Sequence, residues 1–162
     1  LVLVHAINVG QNLGWKLAEV IGDLATQLSA KEIISLEGVG SPNAEAGRVF
    51  YYSTKNGAVS QKLSTVANPL MEGIIVGVTG ALLARNLKTP LVALFAEARN
   101  GMPDSKAAAH IINALDAYTG LKIDPKPLLK QAQVFEKKLK GLMQKGQAAQ
   151  EVQQQKHLSY VG

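Results

Sequence analysis

Three charged side chains follow runs of aliphatic residues, at places where the ends of strands are expected. They are Glu37, Glu97 and Arg99. Open α/β sheets bind ligands at the carboxyl ends of their strands, and carboxylates at such a place can act as general acids and bases. Ion pairs of Glu97 with Arg48 or Arg99 account for the same residues without any chemistry. No second catalytic element accompanies them, so an enzyme of the nucleoside phosphorylase or peptide hydrolase type is the alternative interpretation, not the leading one.

The other residue types that support catalysis or metal binding are sparse. The three histidines, His5, His110 and His157, lack the spacing of metal ligands, and the chain contains no cysteine. His110 follows Asp104 in one predicted helix but faces away from it, and no serine occupies a nucleophile elbow. We therefore expect no catalytic residue, no metal and no cofactor, and interpret His110 as a packed or surface side chain. The absence of cysteine is typical of a cytoplasmic protein.

The stretch Gly77-Val78-Thr79-Gly80 stands before a predicted helix, Ala81–Leu87. Free backbone amides at a helix N-terminus can bind an anion. The stretch matches neither a P-loop nor a dinucleotide-binding fingerprint. A tight structural turn is the favoured interpretation.

Positioning such residues requires a scaffold, and short aliphatic runs that alternate with helical patterns predict a sheet covered by helices. Strands are expected at residues 1–7, 33–36, 48–53, 73–76 and 91–96, and helices at 13–30, 60–66, 81–87 and 104–118. The run 91–96 is the most hydrophobic, so we expect it at the centre of the sheet. Asp104 and Gly120 are predicted to cap the last of these helices. The first helix is expected to pack on the sheet through Leu13, Leu17, Val20, Ile21, Leu24 and Leu28.

The net charge of +5 belongs to one end of the chain. Residues 1–124 contain ten basic and ten acidic side chains, whereas residues 125–162 contain seven lysines and two glutamates. This distribution indicates a neutral α/β body, 1–124, with a basic appendage. No apolar run reaches the ~20 residues of a membrane helix. The appendage lacks arginine and interleaved aromatic residues, so a solvated helix is favoured over a nucleic-acid-binding one.

The appendage is predicted to be one long helix, 125–156, that ends in an apolar and aromatic tip, 157–162. Apolar residues recur in it at steps of four and three, which is the pattern of a heptad seam. The seam consists of Leu128, Ala132, Phe135, Leu139 and Leu142. Such a stalk would present its tip to a partner at a distance from the body.

Several segments in order along the chain resemble the archaeal branch of the proteasome assembly chaperone family. The most specific is the block from Gly73 to Leu83, with Pro103-Asp104 and Ala107-Ala108 downstream. The others are Ile33–Leu36 with Glu37–Gly40, Arg48-Val49, Glu97, Leu121–Asp124 and the long helix that follows.

The resemblance implies a three-layer α/β/α sandwich related to phosphorylase/hydrolase-like folds, followed by a long C-terminal helix and without an established catalytic site. It also implies a homo-oligomer, tetramer or pentamer, that binds proteasome α-subunits, and it admits another chaperone subunit as a partner. Relatives commonly begin with a further strand–loop–helix section. The start on the strand-like run Leu1–Val4 therefore leads us to expect missing upstream sequence.

Some relatives end in a hydrophobic–Tyr–any motif, whose tyrosine and terminal carboxylate enter pockets between α-subunits. In this sequence Tyr160 is third from the end and follows Ser159. The resemblance therefore implies a partner-binding tip made of Leu158, Tyr160, Val161 and Gly162, with the tyrosine displaced by one position.

Overall fold

The architecture is an α/β sheet with helices on both sides and a long helix after it. The computed structural model describes residues 13–41, 47–55, 57–99 and 104–158, with the backbone alone at Leu128 and at 144–158. The elements are α1 Gly14–Gln27, β1 Ile33–Gly40, β2 Val49–Ser53, α2 Ala58–Ser64, β3 Asn68–Pro69, α3 Gly77–Leu83, β4 Leu91–Ala98, α4 Ser105–Thr119 and α5 Lys126–Leu158. The predicted strand 1–7 lies outside the described residues.

The sheet has the strand order β1-β4-β2-β3. β4 is parallel to β1, from Ile33 opposite Leu91 to Gly40 opposite Ala98, and antiparallel to β2. Its residues are buried from the first position to the seventh. A strand covered on both faces reads as a continuous apolar run, and the prediction that 91–96 is central is confirmed.

Alternate residues of the strands point to opposite layers. One core cluster joins Val92 and Leu94 of β4 to α4 and to Leu63 of α2. The other joins Leu91 to Ala18 of α1 and Leu82 of α3. Helices therefore cover both faces of the sheet, which confirms the layered α/β fold.

Helix α4 has both of the predicted caps. The Asp104 carboxylate accepts hydrogen bonds from the backbone amides of Lys106 (3.0 Å) and Ala107 (3.1 Å). Gly120 ends the helix with φ of 71°, a left-handed conformation that costs glycine little.

Helix α1 forms as predicted, but only part of the expected apolar face packs on the body. Its buried residues are Gly14, Ala18 and Ala25. Leu13, Val20 and Leu28, which were expected on the sheet, are more than half exposed. The reason is the close approach of α3, because an added Cβ on Gly14 would lie 3.5 Å from the carbonyl carbon of Gly77. Small residues permit this approach, while Leu17, Ile21 and Leu24 of the predicted face are half-buried and Ile21 packs against the second core cluster.

Two further predictions differ from the structure: the strand at 73–76 does not form, and helix α3 begins earlier than expected. Residues 73–76 are not a strand, and Ile74 and Val76 are 94% and 74% exposed. The edge of β2 pairs instead with the short β3, and the Leu70 amide then donates to the Tyr51 carbonyl oxygen at 2.8 Å. Helix α3 begins at Gly77, so the glycine-bounded stretch is the first turn of a helix and not a turn before one.

Candidate functional site

The end of β4 carries the carboxylate that the sequence singled out. Glu97 is only 6% exposed. Its two oxygens accept hydrogen bonds from Arg48 Nε (2.9 Å) and Arg48 Nη2 (2.7 Å), and one of them also accepts from Ser41 Oγ (3.0 Å). The bidentate pair fixes the guanidinium, which also lies 5.6 Å from the centre of the Phe50 ring. The sequence left two arginines open as partners, and the partner is Arg48.

These bonds determine what Glu97 can do chemically. The hydrogen bonds from Arg48 hold the pKa of the Glu97 carboxyl below its usual range, although burial acts in the opposite direction. A general base working near neutral pH needs a raised pKa and a free oxygen. Glu97 has the reverse, and its arrangement is that of a structural ion pair.

The three strand-end residues do not form one site. Glu37 lies inside β1, opposite Phe95, because the strand continues to Gly40 and does not end at Leu36. Arg99 bonds to Asp104 and Glu136 and not to Glu97. The placement of Glu37 at a strand end was therefore wrong, and the described residues do not join the two glutamates to a common arginine.

The lowered pKa of Glu97 makes stability depend on pH. A carboxyl whose folded pKa is depressed stabilises the protein above its unfolded pKa of about 4.3, and this contribution is lost as the pH falls through the folded pKa. We expect Glu97→Gln to lower the urea midpoint at pH 7. Between pH ~5 and ~3 the variant should lose less stability than the wild type, because it lacks the carboxyl that becomes protonated. The exposed Glu72→Gln is the control and should keep the wild-type profile. Parallel profiles for wild type and Glu97→Gln would contradict the assignment.

A second ionic cluster attaches α5 to the body. Arg99 Nε donates to Asp104 at 3.2 Å, and the Arg99 backbone amide donates to the same carboxylate at 3.1 Å. Arg99 Nη2 donates to Glu136 of α5, which also accepts from Ser105 Oγ at 2.6 Å. The hydrogen bond from Ser105 is the main cause that lowers the pKa of Glu136. The long helix is therefore joined to the end of β4 and the start of α4.

Glu136 is a residue that the sequence reasoning missed. It is the only acidic residue between Lys126 and Met143, in a stretch that contains five lysines. A single carboxylate in a basic amphipathic helix is the signal that could have identified an attachment point.

The predicted seam of α5 is divided between two faces. Ala132 and Leu139 are half-buried, in line with Leu129 and Glu136. Phe135 and Leu142 are 60% and 66% exposed. The backbone at Leu128 is helical, and its side chain lies outside the described ones. Helix α4 explains the division, since the body contacts α5 through the face that carries Glu136.

Of the predicted tip, the structure describes only the backbone of residues 157 and 158. Helix α5 runs to Leu158, two residues beyond the predicted end of the helix. Tyr160, Val161 and Gly162 lie outside the described residues, so their partner-binding role stays a prediction.

An open groove of about 580 Å³ lies between α4 and the segment that joins α2 to β3. His110 and Asn113 line one wall, and Ser64, Thr65 and Asn68 line the other. His110 is exposed, as one of the two interpretations had it. The described lining residues contain no carboxylate that could pair with His110.

The described part of the chain holds no cluster of three or more His, Asp and Glu side chains able to bind a metal ion. His5 and the side chain of His157 are outside that part. No helix among the described residues has the length and apolar character needed to cross a membrane.

Comparison with known proteins identifies a family whose model matches most of the chain. Residues 1–143 match the family model of the PAC2 family. Among curated proteins, none matches the chain.

Solved structures with a similar fold come from archaea and bacteria. Pyrococcus furiosus PbaA, described as an archaeal homolog of proteasome-assembly chaperone, has a TM-score of 0.72 at 24% identity, and the match covers 95% of this chain and 66% of that one. Pyrococcus furiosus PbaB, described as an archaeal proteasome activator, has a TM-score of 0.66 at 21% identity, with coverage of 86% and 62%. A PAC2 family protein from Streptomyces avermitilis has a TM-score of 0.56 at 17% identity, with coverage of 79% and 57%. The chain thus spans less than two thirds of the length of these structures.

Proposed function

Because this chain belongs to the PAC2 family, we propose that it is a non-enzymatic proteasome assembly chaperone or adaptor. In this proposal it forms a homo-oligomer and binds proteasome α-subunits, or a related partner, through its C-terminal arms. The observation that carries the proposal is the family match over residues 1–143, together with the fold shared with PbaA and PbaB. The cytoplasm of an archaeal cell is the proposed location.

The state of the charged residues supports a role without catalysis. Glu97 is held by Arg48 and Ser41, and Arg99 is held by Asp104 and Glu136. Each of these side chains is bonded within the fold, whereas acid–base catalysis needs a group with access to a substrate proton.

Exposed apolar residues on the body support the homo-oligomer. Trp15 is 56% exposed, and Met71, Ile74 and Val76 are 85%, 94% and 74% exposed. Trp15 and Val76 are the sequence neighbours of Gly14 and Gly77, where α1 and α3 approach each other closely. Large exposed apolar residues are typical of protein–protein interfaces when they form a patch. We propose a tetramer or pentamer that buries them.

The arm is the proposed partner-binding element. Helix α5 contains 33 residues, or about 50 Å at ~1.5 Å per residue. Its attachment through Glu136 holds the first turns on the body, and Leu158, Tyr160, Val161 and Gly162 follow at the far end. Several arms in one oligomer would bind a symmetric ring with avidity, although each tip binds weakly.

Removing the tip tests the proposed function. We expect the protein lacking residues 157–162 to bind purified proteasome α-rings at least about tenfold more weakly in co-sedimentation, because each tip of the oligomer loses its contact. Tyr160→Ala should act in the same direction, and Ser159→Ala is the matched control. Undiminished binding after the deletion would contradict the role of the tip. Static light scattering tests the oligomer separately, and the mass of a single chain would contradict that part.

A further inference from the structure

Helix α5 is joined to the body by hydrogen bonds at two places. Before its start, in the connector formed by residues 120–125, the Ile123 backbone amide donates to the Asp116 carboxylate of α4 at 2.9 Å. Further along, Glu136 accepts hydrogen bonds from Ser105 and Arg99. Glu136 comes ten residues after the helix begins, or about 15 Å along it. Two separate points of attachment fix the direction of a rod, and the second one depends on a single side chain.

The apolar contacts of α5 with the body specify its position less closely. Leu129, Ala132 and Leu139 are half-buried. None of the described residues of α5 belongs to either core cluster or packs against one. Hydrophobic contact is non-directional, whereas hydrogen bonds to a carboxylate have a preferred distance and angle. Glu136 is therefore the contact that specifies where the helix lies.

Glu136 belongs to an ionic network, which distinguishes it from a lone surface ion pair of little energetic value. Ser105 Oγ donates to one of its oxygens at 2.6 Å, and Arg99 Nη2 donates to the other. Asp104 holds the Arg99 guanidinium from the other side at 3.2 Å. The side chains of Asp104 and Glu136 are only 5% and 16% exposed. Both carboxylates bond at the N-terminus of α4, where the helix dipole stabilises negative charge.

The length of α5 amplifies any change in its direction. The helix continues for 22 residues beyond Glu136, to Leu158, or about 33 Å. The whole helix is about 48 Å long, so a rotation of about 20° at the connector would move its far end by about 16 Å. The position of the far end is thus controlled by a contact in the first half of the helix.

We propose that Glu136, held by Ser105 and Arg99, is a latch that sets the direction of the arm, and that α5 pivots about the connector when the latch is open. The consequence for binding rests on the proposed function. Arms with a fixed direction reach several subunits of one ring together, whereas arms that pivot lose part of this avidity. Glu136 is then a positioning residue, which acts on the partner only through the direction of the helix.

Spin labels measure the direction of α5 within one chain. The sequence contains no cysteine, so Gln61→Cys on the exposed side of α2 and Gln150→Cys on α5 are the only labelled sites. Labelled protein is diluted with unlabelled protein, and double electron–electron resonance gives the distances. We expect a narrow distribution when the latch is intact. Glu136→Ala should broaden it by at least about 10 Å, because residue 150 is about 36 Å from the start of the helix.

Three controls separate a pivot from unfolding of the helix. With the second label at Lys130→Cys, about 6 Å from the start of the helix, Glu136→Ala should broaden the distribution by no more than about 2 Å. Gln131→Ala is a similar truncation at an exposed position of α5 and should leave both distributions unchanged. Ser105→Ala should act in the direction of Glu136→Ala, and the two changes together should add little to either alone.

An unchanged distribution at residue 150 in Glu136→Ala would overturn the latch, and so would equal broadening at residues 130 and 150. Binding to α-rings is measured separately. Glu136→Ala should weaken co-sedimentation with rings by at least about tenfold, while binding to a monomeric α-subunit stays within about twofold of wild type. Equal weakening for ring and monomer would overturn the positioning role. If the wild type binds no ring, the proposed function fails, and the spin-label distances still decide whether the latch exists.

Discussion

Replacing Phe95 with alanine is expected to lower the free energy of unfolding by about 3–5 kcal/mol. The Phe95 side chain is 2% exposed and is among the largest fully buried side chains of the described chain. It lies on β4 between Glu37 of β1 and Phe50 of β2. Removing the ring loses apolar burial and leaves a cavity in a strand that is fixed on both sides. Urea unfolding followed by circular dichroism measures the change.

The same substitution at Phe135 is the matched control. Phe135 is 60% exposed on α5, so its truncation removes little buried area, and alanine is the better helix former. We expect a change within about 0.5 kcal/mol in either direction. Similar losses for the two variants would contradict the burial assigned to β4.

Replacing Gly80 with alanine is expected to destabilise the protein by about 2–3 kcal/mol, even after the higher helix propensity of alanine is counted. An added Cβ would lie well inside van der Waals contact of the Ile75 carbonyl oxygen and 3.0 Å from the Ile75 carbonyl carbon. Backbone atoms cannot rotate away as the end of a side chain can. Helix α3 would have to shift. The hydrogen bond between the hydroxyls of Thr79 and Ser35 of β1, at 2.5 Å, opposes that shift. Thermal and urea unfolding should both report the loss.

Gly141→Ala is the control of opposite sign. Gly141 also lies in a helix, but an added Cβ there would meet no heavy atom within 4 Å. We expect a gain of about 0.5–1 kcal/mol, because glycine is a poor helix former. If Gly80→Ala also stabilised the protein, the packing of α3 against residue 75 would be wrong.

The parts of the fold that were predictable are those whose causes are local. The apolar run 91–96 indicated a central strand, and the ends of α4 were marked by the Asp104 carboxylate, which accepts from free amides, and by Gly120, which adopts a left-handed conformation at little cost. Residues 73–76 show the limit of such reasoning. Their β-branched pattern fits a strand, but a strand needs a neighbour, and the edge of β2 pairs with Asn68–Pro69 instead.

For the candidate site, the sequence identified the residue but not its partner. Glu97 was identified, but the choice between Arg48 and Arg99 depends on which strand lies beside β4, and composition does not contain that information. The seam of α5 was predicted as one line from Leu128 to Leu142. The body covers the line of Ala132 and Leu139, on which Glu136 bonds to Arg99 and Ser105, and leaves Phe135 and Leu142 exposed.

The position of β4 between β1 and β2 constrains the order in which the protein can fold as it leaves the ribosome. β1 and β2 are synthesised first, yet the strand that joins them is complete only at Ala98. Contacts between distant parts of a chain form slowly, so the nascent sheet has to wait for its central strand. Helix α5 follows last, and Glu136 can bond to Arg99 and Ser105 only once β4 and α4 are in place. The ionic attachment of the arm can therefore form only after the elements that it binds.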